Sequence, residues 1–190
     1  MKIRDAFKEV RMGINLKSSK LQGEGDEILC YTFRKNALDY GLLLDDKLIE
    51  MNLYSEIEPK YFMQGRDIII SVKKPYKVVT YPYNTNLKII IPSNFIILRD
   101  INMDKYSFIF VMNYLNYIAM DKYFKDKTSD LTIEEINDIE LPDIPKVRQM
   151  KISGLMNNIN KRGQLYSKLI KNDKEIILYA LNKIVGDNNV

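Results

Sequence analysis

The sequence predicts an α+β protein, with a β-rich domain over residues 1–142 and one long helix over residues 143–190. Three observations carry this expectation. β-Branched runs at 65–72 (GRDIIISV) and 87–99 (LKIIIPSNFIILR) are broken by Gly and Pro, the punctuation of strands. An apolar stretch at 104–124 is too long for a strand and reads as a largely buried helix. From Ile152 onward, apolar residues recur every three or four positions almost to the end.

Taken in order, residues 1–50 read as short mixed elements with turns at Gly13, at QGEGD (22–26) and at Gly41. EILCYTF (27–33) alternates as a half-buried strand does, whereas YGLLLDDKLIEMNL (40–53) fits either a strand or a helix. GRDIIISV is a strand after a Gly turn, and KKPYKVVTYP leads through a turn into a second strand. LKIIIPSNFIILR reads as two strands separated by Pro92-Ser93-Asn94. Asn102 or Asp104 can cap the helix at 104–124. Thr132 and Glu135 have capping-box spacing, so a short helix starts there. Pro142 bars its continuation and leaves IELP (139–142) as a short closing strand.

After Pro145 the period is helical. Ile152, Leu155, Ile159, Leu165, Leu169, Ile176 and Ile177 form an apolar stripe, and Gly186 is a natural stop. Gly163 and Lys171-Asn172-Asp173 weaken the pattern locally. If straight, the helix would extend ~60 Å, more than one small domain can bury. The stripe then requires a partner helix, such as that of a second copy. The alternative is a bend at 171–173 that makes a helical hairpin packed on its own domain.

Composition excludes several kinds of chemistry. The chain has 190 residues, 46% hydrophobic and 28% charged, which suits one core plus an appendage. Without His and with one cysteine, Cys30, it lacks the residues for common zinc sites, Ser-His or Cys-His catalysis, or an internal disulfide. No glycine-rich nucleotide loop is present. One nuclease-like spacing exists, Asp46 followed by Glu58-Pro59-Lys60, but Pro59 argues against the rigid strand that such a site needs. No catalytic residue, metal or cofactor is therefore expected. The start, MKIRDAFKEV, lacks the apolar segment of a signal peptide. The most apolar run, Tyr106 to Met120, is broken by Asn113 and Asn116 and is too short to span a bilayer. A cytoplasmic protein without membrane contact is the expectation.

Charge is unevenly spread over a net +4. Residues 60–99 hold seven basic groups against the single acid Asp67, and residues 143–190 hold nine against four. Such stripes suit a polyanion, although a solvated face has the same appearance. Three basic turns stand out. Lys73, Lys74 and Lys77 flank Tyr76, with Asn84 and Asn86 beyond; Arg34, Lys35 and Asn36 form a second group; Lys17, Ser19 and Lys20 form a third. Lysines neutralise phosphates, Asn pairs bidentately with adenine, and an aromatic ring can reach a base. Each turn alone also fits a merely soluble loop, but three on one domain point to a shared nucleic-acid-binding face.

The order of segments resembles one half of a type I restriction–modification specificity subunit: one target-recognition domain and its spacer helix. The residues that carry the resemblance are EVRMG (9–13), GRDIIISV in the place of a Gly-Asp-Ile strand, IPSNFIILR (91–99), YLNYIAMDKYF (114–124) and LTIEEINDIELPDIPKVRQMKISGLM (131–156). In the last, Pro142, Pro145, Gln149 and Ile152 match the family's domain exit position by position. Arg66 departs from the family by standing between Gly65 and Asp67, and KKPYK replaces a glycine-rich pattern. Most members hold two recognition domains and two helices in one chain, whereas here there is one of each. The resemblance implies that residues 1–142 read a half-site in double-stranded DNA and that helix 143–190 forms a coiled-coil-like spacer and dimerisation element. It implies partnership with the methyltransferase and restriction subunits and with a second copy or another half-subunit. S-adenosylmethionine, Mg²⁺ and ATP would belong to those partners. The alternative is a decoy module that binds specificity or methyltransferase subunits through the helix without reading DNA.

Overall fold

The computed structural model describes residues 1–16, 28–39, 41–53, 57–81 and 87–186. The chain divides into two compact units, Met1–Ser153 and Gly154–Val190. The first contains strands β1 (Phe7–Met12), β2 (Ile28–Thr32), β3 (Leu38–Asp39), β4 (Leu42–Leu43), β5 (Ile49–Leu53), β6 (Ile68–Ser71), β7 (Val78–Val79) and β8 (Phe95–Ile101). Its helices are α1 (Ile3–Ala6), α2 (Phe108–Tyr114), α3 (Met120–Phe124) and α4 (Ile133–Asn137), with a π-helical segment, Leu115–Ala119, between α2 and α3. The last helix, α5 (Lys146–Gly186), starts within this unit.

The main sheet is antiparallel, in the order β1-β8-β6-β7. Its central strands are apolar without alternation because both faces are covered. On one face Ile68, Ile70, Ile96 and Leu98 join a core with α1, the 108–124 helical stretch and α4. On the other, Ile69, Val79, Phe95 and Ile97 pack with Phe33, Leu38 and Tyr81. The two-residue period of a strand sends neighbours to opposite cores. A third, smaller cluster joins Cys30, Leu53, Ile57 and Ile90 beside the antiparallel β2–β5 pair. Of the ambiguous segment 40–53, the described residues 41–53 hold strands β4 and β5 on either side of a 3₁₀ turn, Asp45–Lys47.

Gly13, just after β1, donates its N–H to the Phe95 carbonyl at 2.9 Å. A Cβ there would stand 2.2 Å from the carbonyl oxygens of both Ile91 and Pro92, so only glycine fits.

Two local expectations are corrected. Residues 87–91 do not form a strand of one sheet. The segment is shared among three neighbours: Ile90 N–H donates to Tyr31 O at 2.7 Å, Ile91 N–H to Tyr61 O at 3.0 Å, and Ile91 O accepts from Ile14 N–H at 2.9 Å. Neither Asn102 nor Asp104 caps the 104–124 helix, which starts later with Ser107 as its N-cap. The Asn102 side chain instead accepts from Asp104 N–H at 3.1 Å, a local turn that competes with capping. The capping box of α4 is as read: Glu135 N–H donates to Thr132 Oγ1, and Thr132 N–H to the Glu135 carboxylate. The closing segment runs along the N-terminus, with Ile3 N–H to Ile139 O at 3.0 Å and Leu141 N–H to Met1 O at 2.8 Å.

The domain exit is pinned by Gln149, which is 1% exposed. Its Nε2 donates to Ile144 O at 2.7 Å and Lys105 O at 3.1 Å, and its Oε1 accepts Ser107 N–H at 2.8 Å. One amide therefore satisfies a backbone donor at the start of α2 and two carbonyls, those of Lys105 and Ile144. Ser153 Oγ donates to Gln149 O one turn later, at 2.8 Å.

The second unit is helical from Gly154 to Gly186. It continues through Gly163 and residues 171–173, so the hairpin alternative does not occur. A lone glycine costs only about 1 kcal/mol in a helix, and no proline interrupts the segment. No helix among the described residues is long and apolar enough to cross a membrane.

Candidate nucleic-acid interface

The turn between β6 and β7 carries Lys73, Lys74, Tyr76 and Lys77. It closes on Ser71, whose N–H donates to Lys77 O at 2.9 Å and whose Oγ accepts Lys77 N–H at 2.8 Å. The 3₁₀ turn Lys35–Ala37 lies against it: Lys35 Nζ donates to Lys73 O at 2.7 Å. Lys77 Nζ in turn donates to Leu38 O. The two basic turns read separately from sequence thus form one surface in the fold. Burial lowers the Lys35 pKa from its ordinary value, and the nearby Lys77 charge lowers it further. Two ammonium groups in mutual repulsion are a setting that a phosphate would relieve.

The side chains on this surface are not equivalent. Arg34, Asn36, Lys73 and Lys74 are exposed, while Lys35, Tyr76 and Lys77 are half-buried. Lys74 Nζ donates to Lys125 O, at the end of the helical stretch. Tyr76 packs edge-on to Phe124, with ring centroids 6.1 Å apart, and its hydroxyl donates to Ser129 O at 3.2 Å. Asn116, which interrupts the apolar helix, accepts Val78 N–H at 3.3 Å and so ties that helix to β7. Sequence reasoning missed these partners because they lie 38–53 residues away in the chain. Lys17, Ser19, Lys20, Asn84 and Asn86 lie outside the described residues.

A buried ion pair ties the start of β6 to β8. Asp67, 0% exposed, accepts Arg99 Nε at 2.8 Å and Nη2 at 2.6 Å, together with Gln64 N–H at 2.8 Å. Arg99 also donates to the carbonyls of Lys60 and Phe62, at 3.1 and 2.9 Å. Burial pushes the Asp67 carboxyl above its ordinary value, while Arg99 and the Gln64 N–H pull it down. Arg66, the residue between Gly65 and Asp67, has a positive φ of 69°, the left-handed region that glycine favours.

The nuclease-like spacing does not assemble a centre. Glu58 and Lys60 pair with each other at 2.6 Å around an exposed 3₁₀ turn, and Asp46 belongs to a different turn. Among the described residues no group of three or more His, Cys, Asp or Glu is placed to hold a metal ion.

In the helical stripe, Ile152 packs against the core of the first unit. Leu155, Ile159, Leu165, Leu169, Ile176 and Ile177 are 52–66% exposed. Unburied apolar side chains in such number exceed what a lone chain ordinarily leaves in water.

The fold, antiparallel sheets followed by a long helix, resembles that of solved chains of type I restriction–modification systems. No protein-family model and no curated sequence matches the chain. Among solved structures it is similar to a chain from work on complex assembly and conformational transition of the type I R-M system. The TM-score is 0.61 at 16% identity, over 98% of this chain and 44% of that one. It is similar to the HsdS subunit from Thermoanaerobacter tengcongensis, with a TM-score of 0.54 at 14% identity over 96% and 48%. The type I S subunit from M. genitalium gives 0.51 at 14% identity over 93% and 42%. The chain thus spans less than half the length of the solved chains it matches.

Proposed function

We propose that the protein is a half-length specificity subunit of a type I restriction–modification complex. Residues 1–142 are the reading head, which binds a DNA half-site without catalysing any reaction. Residues 143–190 are the spacer and dimerisation helix. Two chains joined through that helix carry two heads and make up a full specificity subunit. The methyltransferase and restriction subunits that it directs to a bipartite site supply the chemistry, in the cytoplasm. The observation that carries this reading is the extent of the fold likeness: 98% of this chain, head and helix alike, against 44% of the first solved chain. The convergence of the Lys35 and Lys73–Lys77 turns supports phosphate contact on the head.

A second reading is a module that binds specificity or methyltransferase subunits through the helix without touching DNA. It is favoured by the inward hydrogen bonds of Lys74, Lys77 and Tyr76, which engage the chain's own carbonyls. Duplex-DNA binding measured across a salt series separates the two. The reading-head account expects steep salt dependence. It also expects Arg34→Ala with Lys73→Ala, both exposed, to lower the slope of log K against log salt by about two. Absence of DNA binding at low salt, with retained capture of the methyltransferase, would establish the second reading instead.

A further inference from the structure

We infer that the C-terminal helix encodes the register of its own antiparallel pairing through an Arg162–Asp173 contact between two copies of this chain. The inference rests on the pairing of two chains proposed above and specifies which residues meet.

Two rows with a seven-residue repeat run along the exposed face. One holds Leu155, Arg162, Leu169 and Ile176; the other holds Ile159, Tyr166, Asp173 and Ala180. All eight are exposed. Rows spaced alternately by four and three residues are the a/d seam of a coiled coil. Each row has one charged member in otherwise apolar or aromatic company, and the two charges are opposite. An antiparallel pair sets a residue of one row against a residue of the other on the partner chain. If Arg162 meets Asp173, the same register sets Leu155 against Ala180, Ile159 against Ile176, and Tyr166 against Leu169. A two-fold axis then repeats every layer. The helix is thus complementary to itself in charge, and its longest row member, Arg162, meets its acid.

Other arrangements meet a penalty. A parallel pair stacks Arg162 on Arg162 and Asp173 on Asp173. Antiparallel registers displaced by one heptad set Asp173 against Leu155 or Leu169, and Arg162 against Ala180 or Tyr166. Each leaves a desolvated charge without its counterion. A polar layer in a coiled-coil seam selects register and orientation more than it adds stability. The same complementarity makes a second copy of this chain a better occupant than an unrelated half-subunit that lacks the charge pair.

The test uses the full-length chain. Leu155→Cys and Ala180→Cys proteins are mixed and oxidised, and each is also oxidised alone. The lone native Cys30 is buried and serves as background. The register expects a mixed 155–180 disulfide and none from either variant alone, because two copies of position 155 would lie about 37 Å apart along the rod. In sedimentation, Arg162→Asp or Asp173→Arg is expected to weaken dimerisation about tenfold or more. The combined R162D/D173R chain should dimerise with itself and not with the unaltered chain. A dimer that gives 155–155 or 180–180 disulfides, or that ignores the single charge changes, would overturn the register while leaving the pairing intact. A monomer at micromolar concentration in the unaltered chain would overturn the pairing itself.

Discussion

Arg99→Met is expected to destabilise the first unit by about 3–5 kcal/mol, the usual consequence of leaving one member of a buried ion pair alone. Arg99 supplies two of the three hydrogen bonds to the Asp67 carboxylate, and Gln64 N–H alone would remain. The carbonyls of Lys60 and Phe62 would lose their donors as well. The pH dependence has a definite sign. Burial already raises the Asp67 pKa, and losing Arg99 raises it further. A carboxyl with a raised folded-state value favours the fold when protonated, and that contribution is lost as pH rises through the folded value. The deficit of Arg99→Met should therefore shrink on acidification and be largest near neutrality. Denaturant titrations of both chains at several pH values measure it. Asp67→Asn combined with Arg99→Met should recover much of the loss, since neither charge is then left alone.

Gln149→Leu is expected to cost about 2–4 kcal/mol, because three partly buried backbone groups lose their partners and each such hydrogen bond contributes about 0.5–1.5 kcal/mol. Those groups are Ser107 N–H, Lys105 C=O and Ile144 C=O. Gln149→Glu distinguishes the hydrogen-bond role from shape. It keeps the acceptor for Ser107 but turns a carboxylate toward two carbonyl oxygens, so at neutral pH it should be no more stable than Gln149→Leu. Below the carboxyl pKa it regains one donor and should recover in part. Hydrogen exchange should show faster opening of residues 146–153 in both variants, while a stability equal to the unaltered chain would remove the amide from this role.

The strands at 68–71 and 95–101 were legible because their β-branched runs have clear Gly and Pro borders. The α4 capping box and the helix after Pro145 were legible because both rest on contacts within one or two turns. Less could be read where partners are remote. β1 has weak alternation, and it is a strand because β8 pairs with it some ninety residues later. Asp67 and Arg99 are 32 residues apart, and nothing local marks them as a pair. Gln149 stood at a matching position of the family's exit segment, but its partners near Ser107 are 42–44 residues away. On the candidate DNA face, the charges of the 34–36 and 73–77 turns were readable. Their contact through Lys35 and the inward turn of Tyr76 depend on how β6, β7 and the 108–124 helices meet.

The central claim is that two copies of this chain make one specificity subunit with two identical reading heads. The direct measurement is a map of methylated sites in DNA exposed to this protein together with the methyltransferase subunit from the same source. The account predicts methylation that depends on this chain, at a two-block palindrome with an unread middle. The blocks should present similar grooves about one helical turn, on the order of 34 Å, or a multiple of it apart. A methylated site without two-fold symmetry, or methylation unchanged when this chain is omitted, would contradict it.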